Sequence, residues 1–365
     1  MIYKENNVFD EALERIRMVF DTHDEVIVAM SGGKDSTVVF NLAMMIAREK
    51  NRLPLKVFWL DQEAEWQSTV DYMSYVMHLP DVKPYWFQIA FDFTNSMSHE
   101  QNFLRVWDES READWVHPKS DISIKEFPHK EQRFHKIYKE LQVAIAESEN
   151  TAVLCGMRID ESPARRLRIT AGKSDWHGIL WCSGKYGKKC RQFYPIYDFR
   201  HSDIWTAIAR NGWRYNKLYD NQYQFGMAPR DMRCSALIHE TAWRNIRCLQ
   251  AFEPKTYNRF CTRIAGTNAF SHALDANDVT PKTLPFMFKD WKEYRDYLLV
   301  HLVKPEYWDL FRKRWKKQTG EEWYRLHCDE CIINDIDGTI NANKQIIMNQ
   351  RGFEAGKKKV NLNDK

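Results

Sequence analysis

Ser31-Gly32-Gly33-Lys34-Asp35-Ser36 sets two glycines, a lysine, an aspartate and two hydroxyls between two apolar segments. Residues of these types suit an anion. Glycine lets backbone N–H groups come close to a ligand that a Cβ would hold off. Lys34 adds a full positive charge, and Ser31 and Ser36 add hydroxyl donors. Asp35 is out of place beside an anion unless it holds Mg2+ or caps a helix. The spacing is not that of a Walker A loop, which requires G-x-x-x-x-G-K-[ST].

The flanking segments say how such a loop is held. Val26, Ile27 and Val28 are β-branched and bounded by turn signals, which predicts a short buried strand. Val38, Val39, Leu42, Ala43 and Ile46 recur at helical spacing, which predicts an amphipathic helix from Ser36 to Arg48. The glycines then lie in a strand-to-helix turn, where unpaired amides and the positive end of a helix dipole face one point. The pattern continues with a helix over Phe9 to Phe20, strands at Leu55 to Asp61, Tyr85 to Phe91 and Thr151 to Gly156, and helices at Trp66 to Met77 and Glu131 to Ser148. Alternation of this kind predicts an α/β fold with a doubly wound, mostly parallel sheet. Ligands of such sheets bind beyond the carboxyl ends of the strands.

Two further candidates fall at those ends. Asp61 closes the second strand, where a carboxylate can reach a ribose, an amide edge or a metal, or serve as a helix N-cap. The stretch "CGMRIDESPARRLR" leaves the Thr151 strand through Gly156 and crowds Arg158, Arg165, Arg166 and Arg168 around Ser162 and Pro163. Arginine suits bidentate phosphate or sulfate recognition. The alternative is a solvated basic surface paired with Asp160 and Glu161.

The whole chain sets limits. Its 365 residues are enough for two domains, with 44% hydrophobic and 28% charged residues and a net charge of +4. No run is long enough to span a membrane, and the amphipathic start of the chain does not read as a signal peptide, so a cytoplasmic protein is expected. Eight cysteines spread over this length fit reduced thiols. The expected organisation is an α/β nucleotide-binding domain over residues 1–214, a mostly helical domain over 215–350, and a basic, solvated tail over 351–365. The helical expectation rests on patterns at Glu240 to Phe252, Trp291 to Val303 and Tyr307 to Thr319. Between Arg158 and Lys217, thirteen Lys or Arg face five Asp or Glu. That block suits a nucleic-acid partner or a loop over a charged substrate.

These motifs resemble a known family. "SGGKDS" resembles the PP-loop of the N-type ATP pyrophosphatases, and within them the phosphoadenosine phosphosulfate (PAPS) reductase and sulfate adenylyltransferase small-subunit group. "FWLDQEAEWQST" resembles that group's adenosine-contacting segment, "GMRIDESPARR" its Arg-rich loop, with Arg158, Ser162 and Arg165 in matching places, and "YPIYDFRHSDIW" its helix-entry motif. "YNKLYDNQYQFGMAPRDMRCSALIHE" is similar to the immunoglobulin-binding regulator A type of bacteria and phages. The resemblance covers roughly Val26 to Phe270. It implies an adenine nucleotide α-hydrolase-like, Rossmann-like fold with ATP or PAPS at Ser31 to Ser36, Asp61, Arg158, Ser162 and Arg165. It also implies attack of an acceptor oxygen on the α-phosphate, with Lys34, Arg158 and Mg2+ supporting the chemistry, and a separately encoded partner protein.

The chain departs from PAPS reductases in having no E-C-G-x-[HK]-like motif near its C-terminus. Its nearest cysteines are Cys328 and Cys331 in "LHCDECIIN". They fit a zinc or iron–sulfur site completed by Cys182 and Cys190, a redox dithiol, or two reduced thiols near a helix end. Three functions follow: an ATP pyrophosphatase adenylating an acceptor; a PAPS or APS reductase of sulfur metabolism; or a non-catalytic regulatory or nucleic-acid-binding protein on the same fold.

Overall fold

The structure, a computed structural model, describes residues 7–170, 176–229, 231–239, 245–272 and 281–345. The expected basic tail at 351–365 and the first five residues of the helix pattern at 240–252 lie outside them. The chain forms two compact units, residues 1–92 with 105–235, and residues 93–104 with 236–365.

The first unit holds α1 (Val8–Thr22), β1 (Glu25–Ala29), α2 (Lys34–Glu49), β2 (Leu55–Leu60), α3 (Gln67–Met77) and β3 (Val82–Phe87). The chain leaves within β4 (Phe91–Thr94) and returns within β5 (Phe103–Val106), which pair as a ribbon. There follow α4 (Phe134–Ile145), β6 (Thr151–Cys155), α5 (Pro163–Thr170), β7 (Cys190–Phe193), α6 (His201–Arg210) and α7 (Leu218–Gln224). The main sheet has the order β3-β2-β1-β6-β7, and every pairing in it is parallel. Strand order therefore reverses between β1 and β6, and a crevice opens at their carboxyl ends. This is the parallel, doubly wound α/β architecture with a helical C-terminal region that the alternation of elements predicts.

Side-chain alternation explains why both faces are covered. Val26, Val28, Val57, Trp59, Trp86, Ala152 and Leu154 join one core with α1, α2, α3 and α6. Phe58 and Phe87, one residue out of step, point to the other face. There Phe58 meets Tyr138 of α4 edge-on at 5.2 Å, and Phe87 meets Phe127 at 5.3 Å. On the first face, Arg15 ties α1 to the segment just ahead of α6 with two 2.7 Å bonds to the Asp198 carboxylate and one of 2.8 Å to Pro195 O.

The structure differs from these expectations in four places. The third strand runs Val82–Phe87 rather than 85–91, with Pro84 inside it. A proline is tolerated because β3 is an edge strand and needs no N–H on its outer side. The glycine-loop helix starts at Lys34, so Lys34 and Asp35 form its first turn. The strand β7, buried at all four positions, was hidden within a polar, glycine-rich stretch that gives no apolar run. The first unit also extends past residue 214 to Ser235, because the segment after α6 bonds to the glycine loop.

The second unit contains α8 (Ile246–Phe252), α9 (Pro254–Arg263), α10 (Thr267–His272), α11 (Trp291–His301), α12 (Trp308–Trp315) and α13 (Glu321–Ile332). Trp291, Leu298, Phe311 and Trp315 form its core together with Cys328 and Cys331. Beside this core runs a buried polar network. Arg314 pairs with Glu330 at 2.9 Å and donates to Asp335 O at 2.8 Å, and Asn341 donates to Glu330 at 3.1 Å. His327 stacks on Trp315 at 4.5 Å, and its Nε2–H donates to Gln318 Oε1 at 2.9 Å. Its Nδ1 meets no acceptor, so a proton there would have no partner.

The cysteine pair does not fit a metal. Cys328 and Cys331 are fully buried in the apolar core, and burial pushes both thiols up, Cys328 to about 12. Cys182 and Cys190 belong to the first unit, where they donate to Ile179 O at 3.5 Å and Gln142 O at 3.7 Å. Among the described residues no group of three or more His, Cys, Asp or Glu could hold a metal, and no helix is long and apolar enough to cross a membrane.

Two predictions follow from this core. Burial, with Arg295 and Arg314 nearby, lowers His327 to about 3. The unfolded chain therefore binds a proton below about pH 6.5 that the folded unit refuses, and stability falls as pH drops from there, by about 1.4 kcal/mol per pH unit. Denaturant titrations between pH 7 and 4.5 should show a shallower fall for His327→Gln than for the wild type. Separately, EDTA should leave the unfolding midpoint unchanged, and elemental analysis should find neither zinc nor iron at one per chain.

Candidate functional site

The crevice between β1 and β6 is where the sequence motifs meet. Gly32 takes φ +70°, which an L side chain rarely adopts, and a Cβ there would lie 2.7 Å from Thr69 of α3. Gly33 is the N-cap of α2 and supplies no side-chain cap. Inside the turn, the Ser36 hydroxyl donates to Gly33 O at 3.0 Å and lies 3.2 Å from Ser31 Oγ. Thr37 also donates its hydroxyl to Gly33 O, at 2.9 Å. The two serine hydroxyls thus hold the loop's own shape, and two of its amides are also engaged, Ser31 N by Ser36 Oγ at 3.3 Å and Lys34 N by Tyr219 OH at 3.1 Å.

Lys34 is only 7% exposed, yet among the described residues it has no carboxylate partner. Its ammonium donates to Met232 O at 3.3 Å and sits 5.0 Å from the centre of the Tyr219 ring. A buried cation held only by a carbonyl dipole and a ring face lacks a counter-ion. It stands on the first residue of a sixteen-residue helix, where the dipole is positive.

The other candidates take different positions. Arg158 is 3% exposed and pairs with Asp35, and its Nη1 donates to Phe199 O at 3.3 Å. Gly156 makes this encounter possible, since a Cβ on it would lie 2.6 Å from Ser36 N. Ser162 accepts from Arg165 N at 3.2 Å and so caps the start of α5, while Arg165 itself pairs with Glu161 at 3.1 Å on the surface. Glu161 is nonetheless raised, because its burial outweighs Arg165.

Asp61 is fully buried, and its carboxylate is spent on the protein's own donors: Trp86 Nε1 at 3.0 Å, Gln88 Nε2 at 2.9 Å and Glu63 N at 3.0 Å. His117 lies 3.3 Å from it. Burial opposes a charge on His117, but the Asp61 carboxylate prevails and raises it. Asp61 therefore organises the end of β2 and does not present itself to a ribose. Glu63 (φ 60°) and Trp107 (φ 54°) are both strained there, and Trp107 N donates to Glu63 Oε2 at 2.6 Å. Burial, with Asp61 nearby, pushes Glu65 well above the carboxylate range.

Several contributors lie far along the chain and carry no signal of their own. Asn216 donates to Gly32 O at 3.1 Å, Tyr219 OH accepts from Lys34 N at 3.1 Å, and Cys234 Sγ donates to Ser31 O at 3.5 Å. His201 opens α6, where its Nε2 accepts from Trp205 Nε1 at 3.2 Å. Burial first, and then Lys34 and Arg158, lower its pKa. Only the subfamily-like segment 215–240 marked this region, without roles. Within the basic block, Arg158, Arg165, Lys189 and Lys217 all face carboxylates. At the opposite end of the strands lies a shallow cleft lined by Asp24, Glu25, Arg52, Lys56 and Glu147, in which Lys56 pairs with Glu25 and, at 2.8 Å, with Glu147, and Arg52 donates to the carbonyls of Phe20 and His23. It offers no chemistry.

Gly156→Ala should lower stability by about 1–3 kcal/mol, because the new methyl meets the α2 backbone at Asp35 and Ser36. Urea unfolding followed by tryptophan fluorescence measures this.

Comparison with known proteins bears on the same residues. The chain is 27% identical over 306 residues to the "Uncharacterized protein YbdN" of Escherichia coli (strain K12), covering 80% of this chain and 75% of that one. Among solved structures, it aligns with Candida glabrata FMN adenylyltransferase in complex with FMN and the ATP analogue AMPCPP at 12% identity and a TM-score of 0.35, over 60% of this chain and 64% of that one, less than two thirds of its length. It aligns with the PAPS reductase of Candida auris, phosphate complex, at 15% identity and a TM-score of 0.33, over 60% of this chain and 93% of that one. The family model of the phosphoadenosine phosphosulfate reductase domain matches residues 25–226. That span runs from β1 through the glycine turn and Arg158 to the end of α7, and by it the chain belongs to the phosphoadenosine phosphosulfate reductase domain family.

Proposed function

We propose that the first unit binds an adenine nucleotide, ATP or PAPS, with its anionic groups in the glycine turn. The observation that carries this reading is the buried Lys34 ammonium, without a counter-ion, at the N-terminus of α2. A phosphate oxygen completes its bonding beside the positive end of the helix dipole, while Lys34 N stays with Tyr219 OH.

The activity that fits best is that of an ATP pyrophosphatase. An acceptor oxygen attacks the α-phosphorus, and the bond to the bridging oxygen breaks, leaving AMP on the acceptor and pyrophosphate in the turn. Lys34 and the loop amides then lie where negative charge accumulates on the leaving group. Arg158 enters through Asp35, which holds its guanidinium at the rim of the turn. Asp35 gives Arg158 one carboxylate oxygen and is the residue that would hold a Mg2+ ion here, which would supply charge neutralisation on the pyrophosphate. Asp61 is a positioning residue in this reading. The finer kinship with the immunoglobulin-binding regulator A type belongs to the same proposal and rests on the segment 215–240.

The reductase alternative needs a reactive thiolate. Cys328 and Cys331 are buried thiols held well above the range in which one forms at neutral pH.

Calorimetric titration with ATP and with PAPS, each with and without Mg2+, tests the reading. Lys34→Ala should weaken binding at least about tenfold, since a hydrogen bond to a charged group contributes roughly 1.5–3 kcal/mol. Binding of neither nucleotide by the wild type would refute the assignment of the turn. Tighter binding of PAPS than of Mg-ATP would reject the pyrophosphatase.

A further inference from the structure

Residues 231–234 form a strap over the glycine turn. Met232 and Cys234 face inward and are buried, while Asp231 and Arg233 face outward. Two bonds fasten the strap to the turn, from Lys34 Nζ to Met232 O at 3.3 Å and from Cys234 Sγ to Ser31 O at 3.5 Å. Tyr219 braces both sides. Its hydroxyl accepts from Lys34 N at 3.1 Å and also bonds Cys234, and its ring lies under the Lys34 ammonium. Behind the strap, Gln222 Nε2 donates to Arg233 O at 2.7 Å, but its fully buried Oε1 has no partner. The strap is thus joined to the turn itself by a long bond from an ammonium to its carbonyl and a weak thiol bond, with Gln222 and Tyr219 bracing it from behind and one buried acceptor, Gln222 Oε1, unsatisfied.

We propose that Tyr219 positions Lys34, and that the Met232 carbonyl stands in for the ligand, so that an anion entering the turn takes the Lys34 ammonium and releases the strap. This rests on the nucleotide reading of the turn. The physical reason is a difference between acceptors. A bond from an ammonium to a phosphate oxygen is charge-assisted and about twice as strong as one to a neutral carbonyl. The exchange costs only a 3.3 Å bond to Met232 O. Tyr219 remains in place throughout, because its hydroxyl holds the Lys34 amide and not the ammonium. The turn therefore keeps its shape while its lysine changes partner.

Hydrogen exchange of the amides of residues 231–235, followed by mass spectrometry on the full chain, tests this, with calorimetry run in parallel. Saturating ATP or PAPS should speed exchange in the wild type by about two- to tenfold, the factor one net hydrogen bond accounts for. Lys34→Met should show the faster exchange with no nucleotide present and no further change when it is added. Tyr219→Phe keeps the ring and should keep nucleotide-dependent exchange, from a faster starting rate. Exchange in α1 is the internal control and should not move. Nucleotide heat in the calorimeter with strap exchange unchanged or slowed would overturn the strap while leaving the nucleotide reading intact. Strap exchange in nucleotide-free Lys34→Met equal to wild type would also overturn it. Absence of heat with both nucleotides would remove the reading of the turn, and the strap with it.

Discussion

The backbone leaving β6 passes so close to the first turn of α2 that only glycine fits at position 156, with a virtual Cβ 2.6 Å from Ser36 N and 2.7 Å from Asp35 C. This approach brings the carboxyl ends of β1 and β6 to one point. Everything chemical in the first unit depends on it. It places Arg158 against Asp35, and it opens the crevice where strand order reverses. Parallel pairing of β1 with β6 over five residues sets the register that makes the approach inevitable.

Charge in the crevice is divided unevenly, and the division separates compensated groups from uncompensated ones. Arg158 has a carboxylate, and Asp61 has a full set of donors. Both are satisfied without a ligand. Lys34 is not, because a ring face and a carbonyl hold its ammonium without neutralising it. A buried ion must be compensated. At Lys34 the compensation is incomplete, at the N-terminus of α2. The strained pair Glu63 and Trp107 fits the same division, since strain at the end of β2 is absorbed by bonds that keep Asp61 and its neighbours fixed.

The second unit follows a different rule. Its polar groups are internal and nearly closed on themselves, with Arg314, Glu330, Asn341, Gln318 and His327 bonding to one another beside an aromatic core. Cys328 and Cys331 belong to that core. Their C-x-x-C spacing on α13 is what helical periodicity imposes on two residues facing the same side. The spacing resembles a ligand pair, but burial supplies neither a third ligand nor a thiolate.

The strand-to-helix turn at Ser31 to Ser36, the alternation of elements and the Arg-rich exit at Arg158 were legible in the chain itself. Each is local: β-branched runs, helical periodicity and glycine pairs act over a few residues. The same holds for the anion chemistry proposed for the turn, which is argued from a helix start and a lysine. What the chain alone left open was which groups are spent and which are free. Asp61 reads as a ligand until Trp86, Gln88 and His117 arrive around it. Asp35 and Arg158 read as separate site residues until they pair across 123 positions. Tyr219, Met232 and Cys234, about two hundred residues from the turn, have no motif that assigns them to it. Sequence determined the turn and its helix because their causes are short-range. The tertiary structure decided the state of each charge, because pairing and desolvation depend on neighbours that only folding brings together.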